Sequence, residues 1–294
     1  MSSFAPARSP VADPAVPIRP LVFDLEAAHV PPDWYAGDRT LSLFWTALSL
    51  LFPEGERFFV ESVKHYRDQI SDPVLQEQIA GFMAQEAMHG KGHRALNALC
   101  ADQGIGIQPA LERQLRGLLI GARRVLSPKS RLAVTCALEH MTALMAEQLL
   151  GDPRHHGAID PSLRGLWLWH ALEEAEHKAV AFDVYRAVGG GYARRTAIML
   201  LATAIFVLEV MNVWIRLVRA DGARPGVRGW ARAVGFLFGK PGLVRRQLPG
   251  YLAYFRPGFH PDRRDTGALV EIWRARLFGE GGLLTAALAA RARS

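Results

Sequence analysis

The sequence has very little cysteine, since Cys100 and Cys136 are the only two in 294 residues. Two cysteines cannot build the disulfide framework that stabilises many small secreted domains. The chain also lacks an opening segment with the charged start, apolar stretch and cleavage site of a secretory signal. We therefore expect an intracellular, cytoplasmic protein in a reducing compartment.

Strand patterns and internal repeats are also lacking. No stretch of consequence alternates apolar and polar residues with the period of a half-buried strand, and nothing repeats at a fixed interval. Half of the residues are hydrophobic, which excludes a disordered polymer, and the length suffices for one large helical domain with an appended region. These features predict an all-α fold.

Acidic residues are scarce towards the end of the chain. From residue 211 to 294 there are fourteen arginines and one lysine against five acidic residues, a surplus of ten positive charges. Such a region can meet anionic lipid or nucleic acid, but its arginines are interspersed among apolar residues and no nucleic-acid-binding motif accompanies them. We expect no nucleic-acid partner.

Proline and hydropathy divide the chain into three regions. Residues 1–36 contain seven prolines without any period and predict a flexible, extended arm. Residues 37–191 have the apolar periodicity of a helical bundle. Residues 192–294 predict an apolar helix followed by basic, aromatic helices that pack on the bundle or on a membrane surface.

The apolar helix of the third region has two interpretations. Residues 196–215 carry one charge, Glu209, and are flanked by arginines. Twenty such residues are long enough to cross a bilayer, but their many small side chains also suit packing across a helical bundle. The sequence favours a buried or peripheral helix and leaves peripheral membrane contact open.

Start and stop signals define the helices of the bundle. Pro53 is expected to interrupt or kink the first helix, Asp72-Pro73 to begin the second, and Gly104 with Gly106 to end it. Ser127-Pro128 is expected to begin the helix that runs to about residue 150. The predicted helical stretches are 39–51 and 54–70, 73 to about 103, 109–125, 128–150, and 161–188 before the triple glycine 189–191.

Four of these helices place carboxylates and imidazoles on faces that are otherwise apolar. In the second helix, for example, Glu86 and His89 continue the spacing set by Phe82. A buried carboxylate without a partner costs several kcal/mol, and a metal ion is one suitable partner. The seven candidate ligands are Glu56, Glu86, His89, Glu139, His170, Glu174 and His177.

The set has a recognisable composition. Apart from His170, two helices each supply one Glu, and two others each supply a Glu-x-x-His pair, which is the donor set of a carboxylate-bridged dimetal centre in a four-helix bundle. Carboxylate oxygens with imidazole nitrogens suit iron or manganese and accept zinc, whereas a purely thiolate-bound metal is excluded. We expect two iron ions, with manganese or zinc as alternatives.

Alternative roles are open for several polar residues in and beside this set. His170 is either a further metal ligand or a core histidine beside Trp167 and Trp169, and His93 is expected to contact a ligand rather than the metal. Thr142 is placed near open coordination positions. Three further carboxylates are expected to be solvated or flanking charges, with partners across helices as the alternative for the first two: Glu173, Glu176 and Glu147.

The order and spacing of these residues resemble the ferritin-like di-iron superfamily. In the stretches FPEGERFF, QEAMHGKGH, LEHMTA, HALEEAEH and YFRPGFHP, the chain also resembles the bacterial family labelled predicted metal-dependent hydrolases, over residues 40–260. The His170-x-x-x-Glu174-x-x-His177 run is similar to that of p-aminobenzoate N-oxygenase-like enzymes. This resemblance implies a ferritin-like bundle with His170 as a seventh ligand.

Three functions follow as hypotheses. The first is a di-iron oxidase or oxygenase that acts with O2 and an electron donor on a small hydrophobic, lipid-like substrate. The second is a dinuclear metal-dependent hydrolase of an ester, amide or phosphoester, and the third is non-catalytic iron binding. The carboxylate-rich donor set favours the first and the family label favours the second. Homodimer formation is left open.

Overall fold

The computed structural model describes residues 16–25, 29–103, 108–222 and 225–291. These residues form an all-α fold, as predicted, and the one extended pairing among them is an isolated bridge between Tyr35 and Ile159. The helices are α1 (Arg39–Lys64), α2 (Pro73–Asp102), α3 (Gln108–Val125), α4 (Pro128–Gly151), α5 (Pro153–His156), α6 (Pro161–His177), α7 (Val180–Ala187), α8 (Tyr192–Ala220), α9 (Val227–Phe238), α10 (Leu243–Ala253), α11 (Gly267–Phe278) and α12 (Thr285–Arg291).

Helices α1, α2, α4 and α6 pack together and enclose the candidate ligands. Their starts follow the predicted signals: the Asp72 carboxylate accepts from the Val74 and Leu75 amides at 2.9 and 3.4 Å, and Ser127 caps α4. Capping satisfies amides that the first helical turn leaves without partners. Gly104 and Gly106, predicted to end α2, lie outside the described residues.

Helix α1 differs from the prediction because it continues through Pro53. A proline within a helix removes the hydrogen bond to the carbonyl four residues earlier, which here belongs to Ser49. The Asn97 amide from α2 donates to that carbonyl at 3.2 Å. A side chain from the neighbouring helix therefore supplies a partner that the proline cannot.

The predicted helix 161–188 is divided into α6 and α7 at Lys178 and Ala179. Neither residue is a helix breaker, so the local sequence gives no signal for the division. The Lys178 ammonium is buried and donates to the Arg264 carbonyl and the Thr266 hydroxyl at 2.6 and 2.7 Å. Tertiary contacts thus accompany the change of direction, while the glycines after Ala187 end α7 as predicted, with φ of 73° at Gly189.

The described part of the predicted flexible arm is packed against the bundle, which corrects the prediction for residues 16–25 and 29–36. Leu21, Leu25 and Trp34 are buried in the main core, and Trp34 stacks on Trp167 at 5.9 Å. Gly81 on α2 allows this segment to approach, because a Cβ there would lie 2.4 Å from the Val16 carbonyl oxygen. The prolines keep the segment extended without preventing its apolar residues from packing.

The C-terminal helices cover one side of the bundle. Helix α8 packs across α1 and α4, and α10 packs against α4 and α9. By length and composition, α8 is apolar enough to cross a membrane, and 28% of its apolar window is buried against the protein. In this structure it lies along the bundle.

Candidate metal centre

The structure brings all seven candidate ligands into one buried space between α1, α2, α4 and α6. Their exposed fractions lie between 0 and 4%. They form three overlapping groups, each with ligand atoms within 4.8 Å of one another and each able to hold a metal ion. The groups are Glu56, His89 and His170; Glu86, Glu139 and His177; and Glu86, His89 and Glu174.

Glu174 and Glu86 link the two ends of this space. The Glu174 Oε1 oxygen lies 3.6 Å from His89 Nδ1 and 3.6 Å from His177 Nε2. Glu86 belongs to two of the groups, and its Oε1 lies 3.1 Å from His177 Nε2. The arrangement therefore has a histidine-containing group at each end and carboxylates between them.

The ligand atoms satisfy an independent test of fit to a metal. Buried polar atoms in native proteins nearly always have hydrogen-bond partners. Here nine buried oxygen and nitrogen atoms of the candidate ligands have no partner in hydrogen-bond geometry within the described part of the chain: both carboxylate oxygens of Glu56, Glu86 and Glu139, Oε2 of Glu174, Nδ1 of His89 and Nε2 of His177. The His177 Nε2 approaches Glu86 Oε1 at 3.1 Å and Glu139 Oε2 at 3.3 Å, but at angles unsuited to a hydrogen bond. These residues suit divalent cations, which accept coordination from oxygen and imidazole nitrogen.

The pKa shifts of the carboxylates also favour a bound cation at this site. Burial raises the pKa of Glu56 and Glu86 well above the ordinary value, and neighbouring carboxylates raise it further. Burial and Glu174 raise the pKa of Glu139 to about 7. Four carboxylates this close cannot all ionise at low cost unless positive charge joins them. Two divalent ions would balance their four negative charges.

The tautomer of His177 follows from its partner Gln85. The Gln85 Nε2 donates to the Pro17 carbonyl at 2.8 Å, and a carbonyl can only accept. The Gln85 Oε1 must therefore face His177 Nδ1, 2.8 Å away, and accept its proton. Although burial opposes it, Glu174 and the other carboxylates raise the pKa of His177 well above the ordinary value, so a cation would compete with a proton for Nε2.

A hydrogen-bonded chain from Asn97 through Ser49 and His93 determines the tautomer of His170 in the same way. Because Asn97 donates its amide to the Ser49 carbonyl, its Oδ1 accepts from the Ser49 hydroxyl at 2.8 Å. Ser49 then accepts from His93 Nδ1 at 2.9 Å, and burial lowers the pKa of His93 well below its ordinary value. Neutral His93 accepts at Nε2 from His170 Nδ1, 2.6 Å away. His170 Nε2 therefore faces the site, where it lies 3.0 Å from Glu174 Oε1.

Glu173 and Glu176 are buried ion-pair partners, which corrects the favoured prediction that they are flanking charges. The Glu173 Oε2 lies 3.0 Å from His89 Nε2, so that His89 Nδ1 faces the metal site. Arg19 donates to Glu173 at 3.0 Å and to both oxygens of Glu176 at 2.7 and 2.8 Å. Arg274 also binds Glu176, at 2.6 Å. The alternative, partners across helices, is the observed arrangement.

Glu147 is also buried, at 7% exposure, and the prediction that it is solvated is wrong. Arg264 from the C-terminal region pairs with its carboxylate, and Lys178 lies 3.9 Å away. The C-terminal layer covers the outer face of α4, which α4 alone would leave in solvent. A charge off the apolar face of a helix can therefore be buried by a later part of the chain.

An apolar cavity of about 30 Å³ adjoins the site. His170 and Glu174 reach it, and so does Thr142, whose hydroxyl donates to the Glu139 carbonyl at 3.0 Å. A space of this size holds one or two water-sized molecules. The remaining lining is apolar or aromatic: Trp45, Leu48, Phe52, Met145, Ala146, Leu149, Trp167 and Ala171.

Sequence reasoning found the seven candidate ligands and His93 but missed the residues that orient them. Gln85 and Arg19 gave no signal, because one lies in the middle of a helix and the other in a segment predicted to be flexible. Ser49 and Asn97 could have been found, since both lie four residues from a position already discussed, Pro53 and His93. Helical spacing places such residues one turn away.

Comparison with known proteins gave one match. A family model described as predicted metal-dependent hydrolase matches residues 17–265, which is most of the chain. The search of curated proteins and the search of solved structures gave no significant match. The matched region begins at Pro17 and thus includes the segment that contacts Gln85 and Glu173.

Proposed function

The chain belongs to the family of predicted metal-dependent hydrolases, and from this premise we propose that it is a dinuclear metal-dependent hydrolase of a small ester, amide or phosphoester. Helices α1, α2, α4 and α6 would form the dimetal bundle of ferritin-like proteins. The observation that carries the proposal is the set of nine buried ligand atoms without hydrogen-bond partners among the described residues. They surround a single space on the four helices.

The proposed ligands divide between two positions. Glu56, His89 and His170 would hold one ion, Glu139 and His177 the other, and Glu86 with Glu174 would lie between them. When bound, divalent ions lower the pKa of a coordinated water and polarise a carbonyl or phosphoryl oxygen. Glu173, His93 and Gln85 hold the outer nitrogens of the three histidines, so the other nitrogen of each imidazole faces inward and could bind a metal ion.

The remaining residues control access and orientation. The aromatic and aliphatic walls of the cavity exclude bulk water from the side of the site that His170 and Glu174 face. The Thr142 hydroxyl is a polar group at this wall that is not a proposed ligand, and it can orient a polar substrate group. An apolar lining favours a small, apolar substrate.

The test begins with metal content. The purified protein is expected to contain two divalent ions per chain by elemental analysis, and Glu86→Gln is expected to lose at least one of them because Glu86 belongs to two ligand groups. Glu77→Gln is the matched control, since Glu77 is exposed on the same helix. The metal-loaded protein is then assayed with chromogenic acetate, phosphate and anilide substrates. Metal-dependent turnover that Glu86→Gln abolishes supports the hydrolase.

One outcome would contradict the ligand assignment, and another would contradict the hydrolase activity alone. Full metal content in Glu86→Gln and in Glu174→Gln would show that the ligand assignment is wrong. Two bound ions without hydrolysis of any substrate class would leave the metal centre intact but argue against the hydrolase. Circular dichroism of each variant separates loss of ligands from loss of fold.

A second function, an O2-dependent oxidase or oxygenase with two iron ions, is favoured by the size of the cavity. About 30 Å³ suits a diatomic molecule better than an ester. Reduced iron ions would supply the electrons for O2 reduction. The test exposes the reduced, iron-loaded protein to O2 and records its near-ultraviolet and visible spectrum. A transient absorption change that Glu174→Gln abolishes supports this function, and a spectrum unchanged by O2 argues against it.

A further inference from the structure

Helix α8 exposes one continuous apolar face to solvent. Residues at helical spacing along this face are all apolar, and the largest are Leu200, Leu201 and Leu208, exposed by 59, 48 and 68%. The apolar stripe consists of Ala193, Ala197, Leu200, Leu201, Ala204, Leu208 and Met211. From the first to the last of these, the helix rises about 27 Å at ~1.5 Å per residue.

The opposite face of α8 is buried, which determines how the stripe can be used. Met199, Val213 and Leu217 are at most 2% exposed, and the helix packs across α1 and α4. If α8 crossed a bilayer alone, these contacts would be lost. The helix can instead lie parallel to an apolar surface while its other face stays on the bundle.

A second apolar row lies beside the stripe. On α10, Val244, Leu248 and Leu252 follow one another at one-turn intervals and are 45, 52 and 56% exposed. Helices α8 and α10 are joined by a hydrogen bond from the Tyr251 hydroxyl to the Thr203 hydroxyl at 3.1 Å. The exposed apolar surface therefore extends over two neighbouring helices.

The charges on this layer are almost all positive. Helices α8, α9 and α10 contain eight arginines and one acidic residue, Glu209, which accepts from Gln114 at 2.9 Å. Exposed Arg194 and Arg219 lie at the two ends of the stripe, and helical spacing puts both at the same edge of it. An apolar face bordered by cations is typical of a helix that lies in the headgroup region of an anionic membrane.

We propose that the face formed by α8 and α10 docks on an anionic lipid bilayer, with the apolar stripe entering the headgroup region and Arg194 and Arg219 contacting lipid phosphates. A second copy of the chain fits less well. Pairing two α8 stripes in the antiparallel arrangement would place Arg194 and Arg219 of both copies along the same edge of the interface, and like charges at an interface disfavour association. The proposal does not depend on the proposed function.

The test is sedimentation of the full chain with lipid vesicles. The protein is mixed with phosphatidylcholine vesicles, with and without phosphatidylglycerol, at low and high salt. It is expected to bind the anionic vesicles, and to bind less at high salt because ions screen the arginines. Leu208→Glu is expected to weaken binding about tenfold or more, because it removes a large apolar group and adds a repelled charge.

Two further variants make the result decisive. Val125→Glu makes the same chemical change at an 83% exposed position on α3, and its vesicle binding should equal that of the unchanged chain. The double variant Arg194→Gln with Arg219→Gln should bind anionic vesicles roughly tenfold more weakly. Thermal unfolding and metal content of each variant should match the unchanged chain, so that a folding or metal defect is distinguished from a docking defect.

Three results would overturn the proposal. They are no binding to anionic vesicles, equal binding by Leu208→Glu and the unchanged chain, or equal losses for Leu208→Glu and Val125→Glu. Sedimentation velocity without lipid tests the alternative that a second copy of the chain covers this face. A dimer that Leu208→Glu converts to monomer, with no vesicle binding, would show that a second copy covers the face.

Discussion

The space between α1, α2, α4 and α6 holds four carboxylates and three imidazoles away from water, whereas α8 presents leucine and methionine to water. Each region is unfavourable in the isolated chain, since buried ionisable groups and exposed apolar surface both cost free energy. The two regions differ in whether other residues of the molecule offset this free energy. The candidate metal site has Arg19, Gln85 and Asn97 around it, while the described residues provide no cover for the stripe.

This difference shows that the buried polar groups make hydrogen bonds and ion pairs with the rest of the fold, whereas the exposed apolar side chains of α8 make few contacts with it. Removing a residue that supports the centre should therefore disturb both stability and metal binding. Replacing a residue of the apolar stripe should leave both unchanged. Three substitutions test this contrast, beginning with the largest expected effect.

Arg19→Met should destabilise the protein by about 3 kcal/mol, because it leaves the buried carboxylates of Glu173 and Glu176 without their main cation. Burial already raises the pKa of Glu173 to about 8 against the opposing influence of Arg19, so without Arg19 this pKa should rise further. His89 would then face a neutral partner over a wider pH range, and metal affinity should fall about tenfold or more. Urea unfolding and metal titration measure the two effects.

Arg57→Met is the control for this substitution, since the Arg57 side chain is 60% exposed and pairs only at the surface. Its effect on the free energy of unfolding should stay within about 0.5 kcal/mol. Arg19→Lys keeps the charge but loses the two-pronged contact with Glu176, and should recover part of the stability. Equal stability of Arg19→Met and Arg57→Met would show that the N-terminal segment does not support the centre.

Gly81→Ala should cost about 1–3 kcal/mol, because the new Cβ would lie 2.4 Å from the Val16 carbonyl oxygen and would push the N-terminal segment away from α2. Gly117→Ala is the matched control in an exposed part of α3 where no atom lies within 4 Å of the added Cβ. It should stabilise the protein by about 0.5 kcal/mol through helix propensity. Thermal unfolding compares the pair, and changes of the same sign would contradict close packing of the segment at Gly81.

Leu200→Gln should change the free energy of unfolding by no more than about 0.5 kcal/mol, although a leucine is lost, because this side chain is 59% exposed. The same measurement on Leu172→Gln, where the leucine is fully buried on α6, should give a loss of at least about 2 kcal/mol. If the two substitutions cost the same, the stripe would be covered in solution, and the contrast between the two regions would fail.

Much of the centre could be predicted because helical periodicity is local. Once Glu86, His89, Glu174 and His177 are placed on helices at three-residue spacing, each pair must share a face. The helix starts at Asp72 and Ser127 were predictable for the same reason, since a cap involves only the next three residues. The continuation of α1 through Pro53 was not, because the partner of the Ser49 carbonyl comes from another helix.

The sequence by itself determined the all-α class, the apolar faces of the helices and the seven candidate ligands, because these depend on the spacing of neighbouring residues. Only the tertiary structure decided which charges are buried and which nitrogen of each histidine faces inward. Glu173 and Glu147 are paired by Arg19 and Arg264, each more than a hundred residues away along the chain. No local pattern encodes such contacts, because they form only when distant segments fold onto the same helix face.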